Sequence, residues 1–160
     1  MTSVDTAPEI DVRLRNFVLQ SDHIEGLIPK PDQLEREMQA HTDILEADQV
    51  TVDALVDFVK VCQQNAVLRS EPGVNVVVGN HRPPAGGPEI VERLETLLQR
   101  MANGELDAYE AHCKYEDLHP FTDGNGRSGR VLWLRMMGGV RAVPRGFLHE
   151  WYYQSLQHYR

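Results

Sequence analysis

The chain has little cysteine, no excess of cations and no long apolar run, and each shortage removes a class of protein. Its two cysteines in 160 residues, Cys62 and Cys113, make neither a disulfide framework nor a metal site. Both lie in helix-like segments among apolar neighbours, where a free thiol packs as a small hydrophobe. Lys and Arg number 16 against 24 Asp and Glu, a net charge of −8. That balance argues against general nucleic-acid binding, which relies on a basic surface to neutralise phosphates. No stretch approaches the roughly 20 apolar residues of a bilayer span, and the start, MTSVDTAPEIDVR, lacks the basic and apolar regions of a secretory signal. The expectations are no nucleic-acid partner, no membrane partner and cytoplasmic residence. Repeats and low-complexity segments are also absent. What is present, 41% hydrophobic and 25% charged residues, is ordinary globular composition suited to one domain with a real core.

The pattern along the chain predicts a mainly α, single-domain fold with one small β-hairpin. Val12, Leu14, Phe17, Val18 and Ile24 fit an amphipathic helix ending near Gly26. Pro31-Asp32 opens a second, with Leu34, Met38, Ile44 and Leu45 inward and His41 as a flaw in that face. Thr51 is the predicted N-cap of a third, carrying Val52, Leu55, Val56, Val59 and Cys62. Residues 69–88 break the rhythm. Pro72-Gly73, the run Val74-Asn75-Val76-Val77-Val78 and the Gly79–Pro84 segment read as a short strand or hairpin and a rigid loop. Pro88 opens a fourth helix ending at Gly104, and Asp107-x-x-Glu110 starts a fifth like a capping box. A final helix is predicted around Phe147 to Tyr159.

Between the fifth helix and an apolar stretch that includes Val131, Leu132 and Trp133 stands His119-Pro120-Phe121-Thr122-Asp123-Gly124-Asn125-Gly126-Arg127-Ser128-Gly129-Arg130. A glycine-flanked turn opening a helix offers unpaired N–H groups and the positive end of the helix dipole to anionic oxygens. Asp123 can hold Mg²⁺, and Arg127 and Arg130 can grip phosphate in bidentate fashion. His119 is the one group in the run whose ordinary pKa suits proton abstraction near neutrality. Asp-Gly and Asn-Gly also favour hairpin turns, but the residues after Arg130 lack strand alternation and fit a buried helix.

These residues resemble the signature of the Fic family, His-x-Phe-x-acidic-Gly-Asn-Gly-Arg-x-x-Arg, at every defining position. At ordinary residue usage, eight fixed positions recur by chance on the order of once in 10¹⁰ windows. The resemblance implies a helical Fic-type fold and transfer of AMP from ATP to a hydroxyl side chain (Ser, Thr or Tyr) of a target protein, releasing pyrophosphate. It implies that His119 is the base and that Asp123 holds Mg²⁺. Gly124, Asn125, Gly126, Arg127, Ser128, Gly129 and Arg130 are implied to bind the nucleotide, with the two arginines at its β/γ end and Phe121 anchoring the loop.

The resemblance extends to three further segments. Residues 74–84 look like the family's flap, a hairpin over the site to which a target adds as a strand, with Val78, Gly79, Asn80 and His81 facing the nucleotide. Ser21-Asp22-His23-Ile24-Glu25-Gly26 resembles the inhibitory motif Ser/Thr-x-x-x-Glu-Gly/Asn. Ser21, Glu25 and Gly26 carry it, and Glu25 would pair with Arg130 and withhold it from the γ-phosphate. Residues 1–30 would then be an inhibitory segment and residues 31–160 the catalytic part. Tyr152 and Tyr153, beside Trp151, are implied to flank the adenine. AMP removal by the same site and a permanently inhibited interaction module stay open as alternatives, as does homo-oligomerisation. A phosphorylating relative would carry Lys near the second signature glycine, where this chain has Gly126.

Overall fold

Prolines and short polar caps set where the helices begin. The computed structural model describes residue 4 and residues 6–142. The helices are α1 (Ala7–Ile24), α2 (Pro31–Glu46), α3 (Val52–Cys62), α4 (Pro88–Ala102), α5 (Ala108–Leu118) and α6 (Asn125–Met136), followed by a 3₁₀ turn at Val140–Ala142. Prolines occupy the first turns of α1, α2 and α4, where a missing N–H costs nothing. Thr51 Oγ1 accepts from Ala54 N–H at 3.1 Å and Asp107 Oδ1 from Glu110 N–H at 2.8 Å, each satisfying a donor that its helix leaves open.

Burial then assembles the helices around α6. Leu55, Phe58 and Val59 of α3, Ile90 and Leu94 of α4, Tyr115 of α5 and Val131 and Leu132 of α6 share the larger hydrophobic core. Trp133 and Leu134 of α6 turn to a second cluster with Leu14, Phe17 and Val18 of α1 and Leu34 of α2. Four consecutive apolar residues thus follow from a helix covered on all sides. α1 is packed into the same domain, and the position of its C-terminal end depends on that packing.

His41, the flaw in the α2 face, is a core residue. Its ring lies edge-on to Phe58 at 4.9 Å and to Phe17 at 6.1 Å between centroids. Burial pushes its pKa down to about 4, so it stays neutral near neutral pH.

The flap departs from the hairpin expected of it. Among the described residues no strand forms, and the segment closes only an isolated antiparallel pair, Val78 with His81. The two exchange hydrogen bonds, Val78 N–H to His81 carbonyl at 3.0 Å and His81 N–H to Val78 carbonyl at 2.9 Å, across Gly79-Asn80. A β-branched run needs a partner strand to become a ladder, and Val77 is 64% exposed. A pairing that the sequence did not suggest lies elsewhere. Leu68 bridges Phe121, with Arg69 N–H donating to the Pro120 carbonyl at 2.8 Å and Thr122 N–H to the Val67 carbonyl at 2.9 Å.

No helix among the described residues is long and apolar enough to cross a membrane. The predicted final helix and Trp151, Tyr152 and Tyr153 lie outside the described residues.

Candidate active site

The signature run folds as a bend at residues 119–124 followed by the first half of α6. His119 caps α5 in the left-handed region, φ 48° and ψ 63°, and it is the non-glycine residue with positive φ among those described. That conformation costs an L-residue roughly 1–2 kcal/mol, so the surrounding bonds must hold it. His119 N–H donates to the Tyr115 carbonyl at 2.9 Å, and its carbonyl accepts from Arg69 Nε at 2.7 Å. The imidazole is half-buried, at the point where the chain turns from one helix into the other.

Four residues after His119, Asp123 is exposed. Oδ2 accepts from Gln63 Nε2 at 2.7 Å and Oδ1 from Gly124 N–H at 2.6 Å, which fix the carboxylate and leave lone pairs for a cation. Among the described residues no group of three or more His, Cys, Asp or Glu could hold a metal. One fixed, exposed carboxylate suits Mg²⁺ that takes its other ligands from phosphate oxygens and water.

Helix α6 then presents its N-terminus. Ser128 N–H makes the first intrahelical bond, to the Gly124 carbonyl at 3.0 Å, so the N–H groups of Asn125, Gly126 and Arg127 open the helix at its positive end. Several side chains there are bonded within the fold. Asn125 is buried, accepting from Phe121 N–H at 2.9 Å and donating to the Phe121 carbonyl at 2.8 Å, so its amide braces the loop. Phe121 itself is buried in the core. Ser128 Oγ contacts Tyr115 Oη at 2.7 Å and donates to the Gly124 carbonyl at 2.8 Å. Gly129 lies where α5 and α6 cross: a Cβ there would stand 2.7 Å from Glu116 Oε1 and 3.0 Å from Tyr115 Cδ1.

Arg127 points inward, donating from Nη1 to the Cys62 carbonyl at 2.7 Å, at the negative end of α3. Asp22 Oδ1 lies 3.7 Å from the same Nη1. Arg130, 1% exposed, is gripped by α1. Its Nε donates to Ser21 Oγ at 2.8 Å, and its Nη2 donates to the Ser21 carbonyl at 3.0 Å and to Glu25 Oε1 at 2.5 Å. The Glu25 carboxylate lies over the first turn of α6, because a Cβ on Gly126 would be 2.3 Å from Oε1. A carboxylate therefore sits at the anion-binding end of the signature helix.

Beneath this contact lies a buried acid pair that the inhibitory pattern does not include. Asp22 Oδ2 and Glu37 Oε2 are both enclosed, and a protonated Asp22 carboxyl has Glu37 as its hydrogen-bond partner. Burial, then the hydrogen bond to Glu37, pushes the Asp22 carboxyl up to about 8, against the pull of Arg127 and Arg130. Of the other groups near it, Cys62 is pushed up to about 12 by burial and stays a thiol, and His41 stays neutral.

The sign of the resulting pH dependence follows. Unfolded, Asp22 loses its proton near its ordinary 3.8; folded, it keeps it to about 8. The native state binds more protons across that window, so this group's contribution to stability falls as pH rises through it. His41 acts oppositely between about 4 and its ordinary 6.5, where stability rises with pH. Above 6.5 the opposing His41 contribution has levelled off while that of Asp22 still falls. Thermal melting should therefore fall between pH 6.5 and 8 in wild type and run flatter in Asp22→Asn. Equal slopes in the two proteins would mean that folded Asp22 does not keep its proton above its ordinary range.

The flap turn lies against α5, with His81 Nε2 3.0 Å from the Asp117 carbonyl. Val78, Gly79, Asn80 and His81 line an open groove of about 1490 Å³ together with Arg93 and Thr96 of α4 and Asp117 of α5. None of residues 119–130 lines that groove. The structure thus brings Ser21, Glu25, Gly126 and Arg130 together, and it places Val78–His81 on the α4–α5 side.

A helical unit with a histidine-led loop opening a buried helix has counterparts among known proteins. Residues 64–137 match the Fic/DOC family. The chain is 38% identical over 76 residues to proteins named "Protein adenylyltransferase Fic" from Drosophila willistoni and Drosophila mojavensis, an alignment covering 42% of this chain and 15% of each relative. The same identity and coverage hold for the Drosophila persimilis protein of that name. The chain spans about 15% of the length of these curated relatives.

Proposed function

We propose that this chain is a protein adenylyltransferase whose resting form is inhibited by its own helix α1. The observation that carries the reading is Arg130 held by Ser21 and Glu25 at the N-terminus of the signature helix, together with His119 at the head of the same loop. In the active form, Arg130 binds the β/γ end of ATP and the N–H groups of Asn125, Gly126 and Arg127 face phosphate oxygens. The target segment docks along the flap, residues 74–84, through main-chain hydrogen bonds. His119 takes the proton from its Ser, Thr or Tyr hydroxyl as the oxygen–phosphorus bond to the α-phosphate forms. The bond from that phosphorus to the bridging oxygen breaks, and pyrophosphate leaves. Asp123 would hold Mg²⁺, which supplies neutralisation of phosphate charge when bound.

ATP labelled at either the α- or the γ-phosphate, incubated with Mg²⁺ and the Glu25→Gly protein, tests this. Label from the α position should become covalent and label from the γ position should not. Transfer from the γ position would make the chain a kinase, and no transfer from either would make it an interaction module. Asp123→Ala should make ATP affinity nearly independent of Mg²⁺ in calorimetry; an unchanged Mg²⁺ dependence would place the metal elsewhere.

A further inference from the structure

The Arg69 side chain has so far entered only as a donor to the His119 carbonyl, yet it has no exposure and is among the largest fully buried side chains. Its described acceptors are all main-chain carbonyls. Nε donates to His119 at 2.7 Å and Nη2 to Leu118 at 2.9 Å, while Nη1 donates to Pro84 at 2.8 Å and to Val74 at 3.3 Å. Leu118 and His119 end α5 and set the left-handed bend. Val74 and Pro84 are the first and last residues of the flap segment. The backbone of Arg69 joins the same places, its N–H on the Pro120 carbonyl at 2.8 Å and its carbonyl accepting from Gly87 N–H at 2.9 Å.

We propose that Arg69 is a positioning residue which, with one guanidinium, holds the left-handed backbone of His119 and both ends of the flap in fixed register. The inference rests on the function proposed above for the role it gives His119 and the flap, and on bond geometry alone for the clamp. A planar fork with five donors reaches carbonyls on two sides at once; an ammonium of equal charge has three donors at one point and does not. Releasing the fork frees the flap ends and relaxes the bend that aims the imidazole. A target hydroxyl held by the flap would then stand out of line with the base. An error of about an ångström costs roughly 10²-fold in rate.

The test uses Arg69→Lys in the full chain, with and without Glu25→Gly. In the Glu25→Gly background, well below the melting temperature and normalised to folded protein, kcat for AMP transfer should fall about 10²-fold with KM for ATP little changed. A merely structural residue would lower the melting temperature and leave kcat per folded molecule alone. Hydrogen exchange is read in parallel: the Val78 and His81 amides should exchange faster in Arg69→Lys, while those of Leu94 and Leu98 in α4 keep their protection. An inactive Glu25→Gly parent with the flap amides still accelerated by Arg69→Lys would refute the function and leave the clamp standing. Unchanged flap exchange, or unchanged kcat in an active parent, overturns the proposal. Should Arg69→Lys fail to fold, wild type decides it. Arg69 Nε–H and the two flap amides should share one protection factor, and flap amides exchanging as in a free peptide while Nε–H stays protected would overturn the clamp.

Discussion

Glu25→Gly is expected to raise AMP transfer by about 10²-fold, to the chain itself or to a supplied target. Two physical changes add. The substitution removes one of the two acceptors of Arg130 Nη2, Glu25 Oε1, and it clears a carboxylate from the first turn of α6, where it would repel phosphate oxygens. Ser21 still holds Arg130 through its hydroxyl and carbonyl, so α1 stays docked and the side chain need only swing its outer nitrogen. Realigning reacting atoms by about an ångström is worth roughly 10²-fold. Melting temperature should change little, because the apolar face of α1, Leu14, Phe17 and Val18, is untouched. An unchanged rate of transfer would make the Glu25–Arg130 pair a packing contact without a regulatory role.

His119→Ala, placed in the Glu25→Gly background so that the loss is measurable, should lower transfer by about 10²- to 10⁴-fold, the range for removing a general base. ATP affinity should persist, since the helix N-terminus and Arg130 are unaffected. Folding should also persist, with one qualification from geometry: residue 119 is left-handed, so alanine is mildly strained there. Asparagine tolerates that region better than alanine does, and His119→Asn should be equally inactive with a higher melting temperature. Transfer near the parent rate in either variant would remove His119 from the role of base.

Much of the helical frame was legible because its signals are local. Proline at a first turn, Thr51 and Asp107 as caps, and apolar spacing act within a few residues and survive in the structure. The flap depends on non-local contacts: the run Val74–Val78 has strand-forming side chains, but a ladder needs a neighbour, and of these residues Val78 pairs, with His81 across Gly79-Asn80. Within the signature, sequence gives residue types without direction. The resemblance implies nucleotide contact for Asn125, Ser128 and Gly129, and the fold adds that their side chains, or the lack of one, brace Phe121, bond Tyr115 and admit α5. Asp22 and Glu37 did leave a trace, for they fall on the buried stripes Leu14–Val18–Asp22 and Leu34–Glu37–His41–Ile44. A charged residue on an apolar stripe signals a buried partner. Arg69 left no such trace, since its acceptors are carbonyls whose positions depend on the fold. The Tyr152 and Tyr153 expectation lies outside the described residues.

A double-mutant cycle on AMP transfer, comparing wild type, Glu25→Gly, Arg130→Ala and the double variant, bears most directly on the claim that α1 inhibits by withholding Arg130. If the benefit of losing Glu25 passes through this guanidinium, the gain of about 10²-fold should vanish once Arg130 is alanine, leaving Arg130→Ala and the double variant equally slow. A Glu25→Gly gain that persists in full without Arg130 would contradict it.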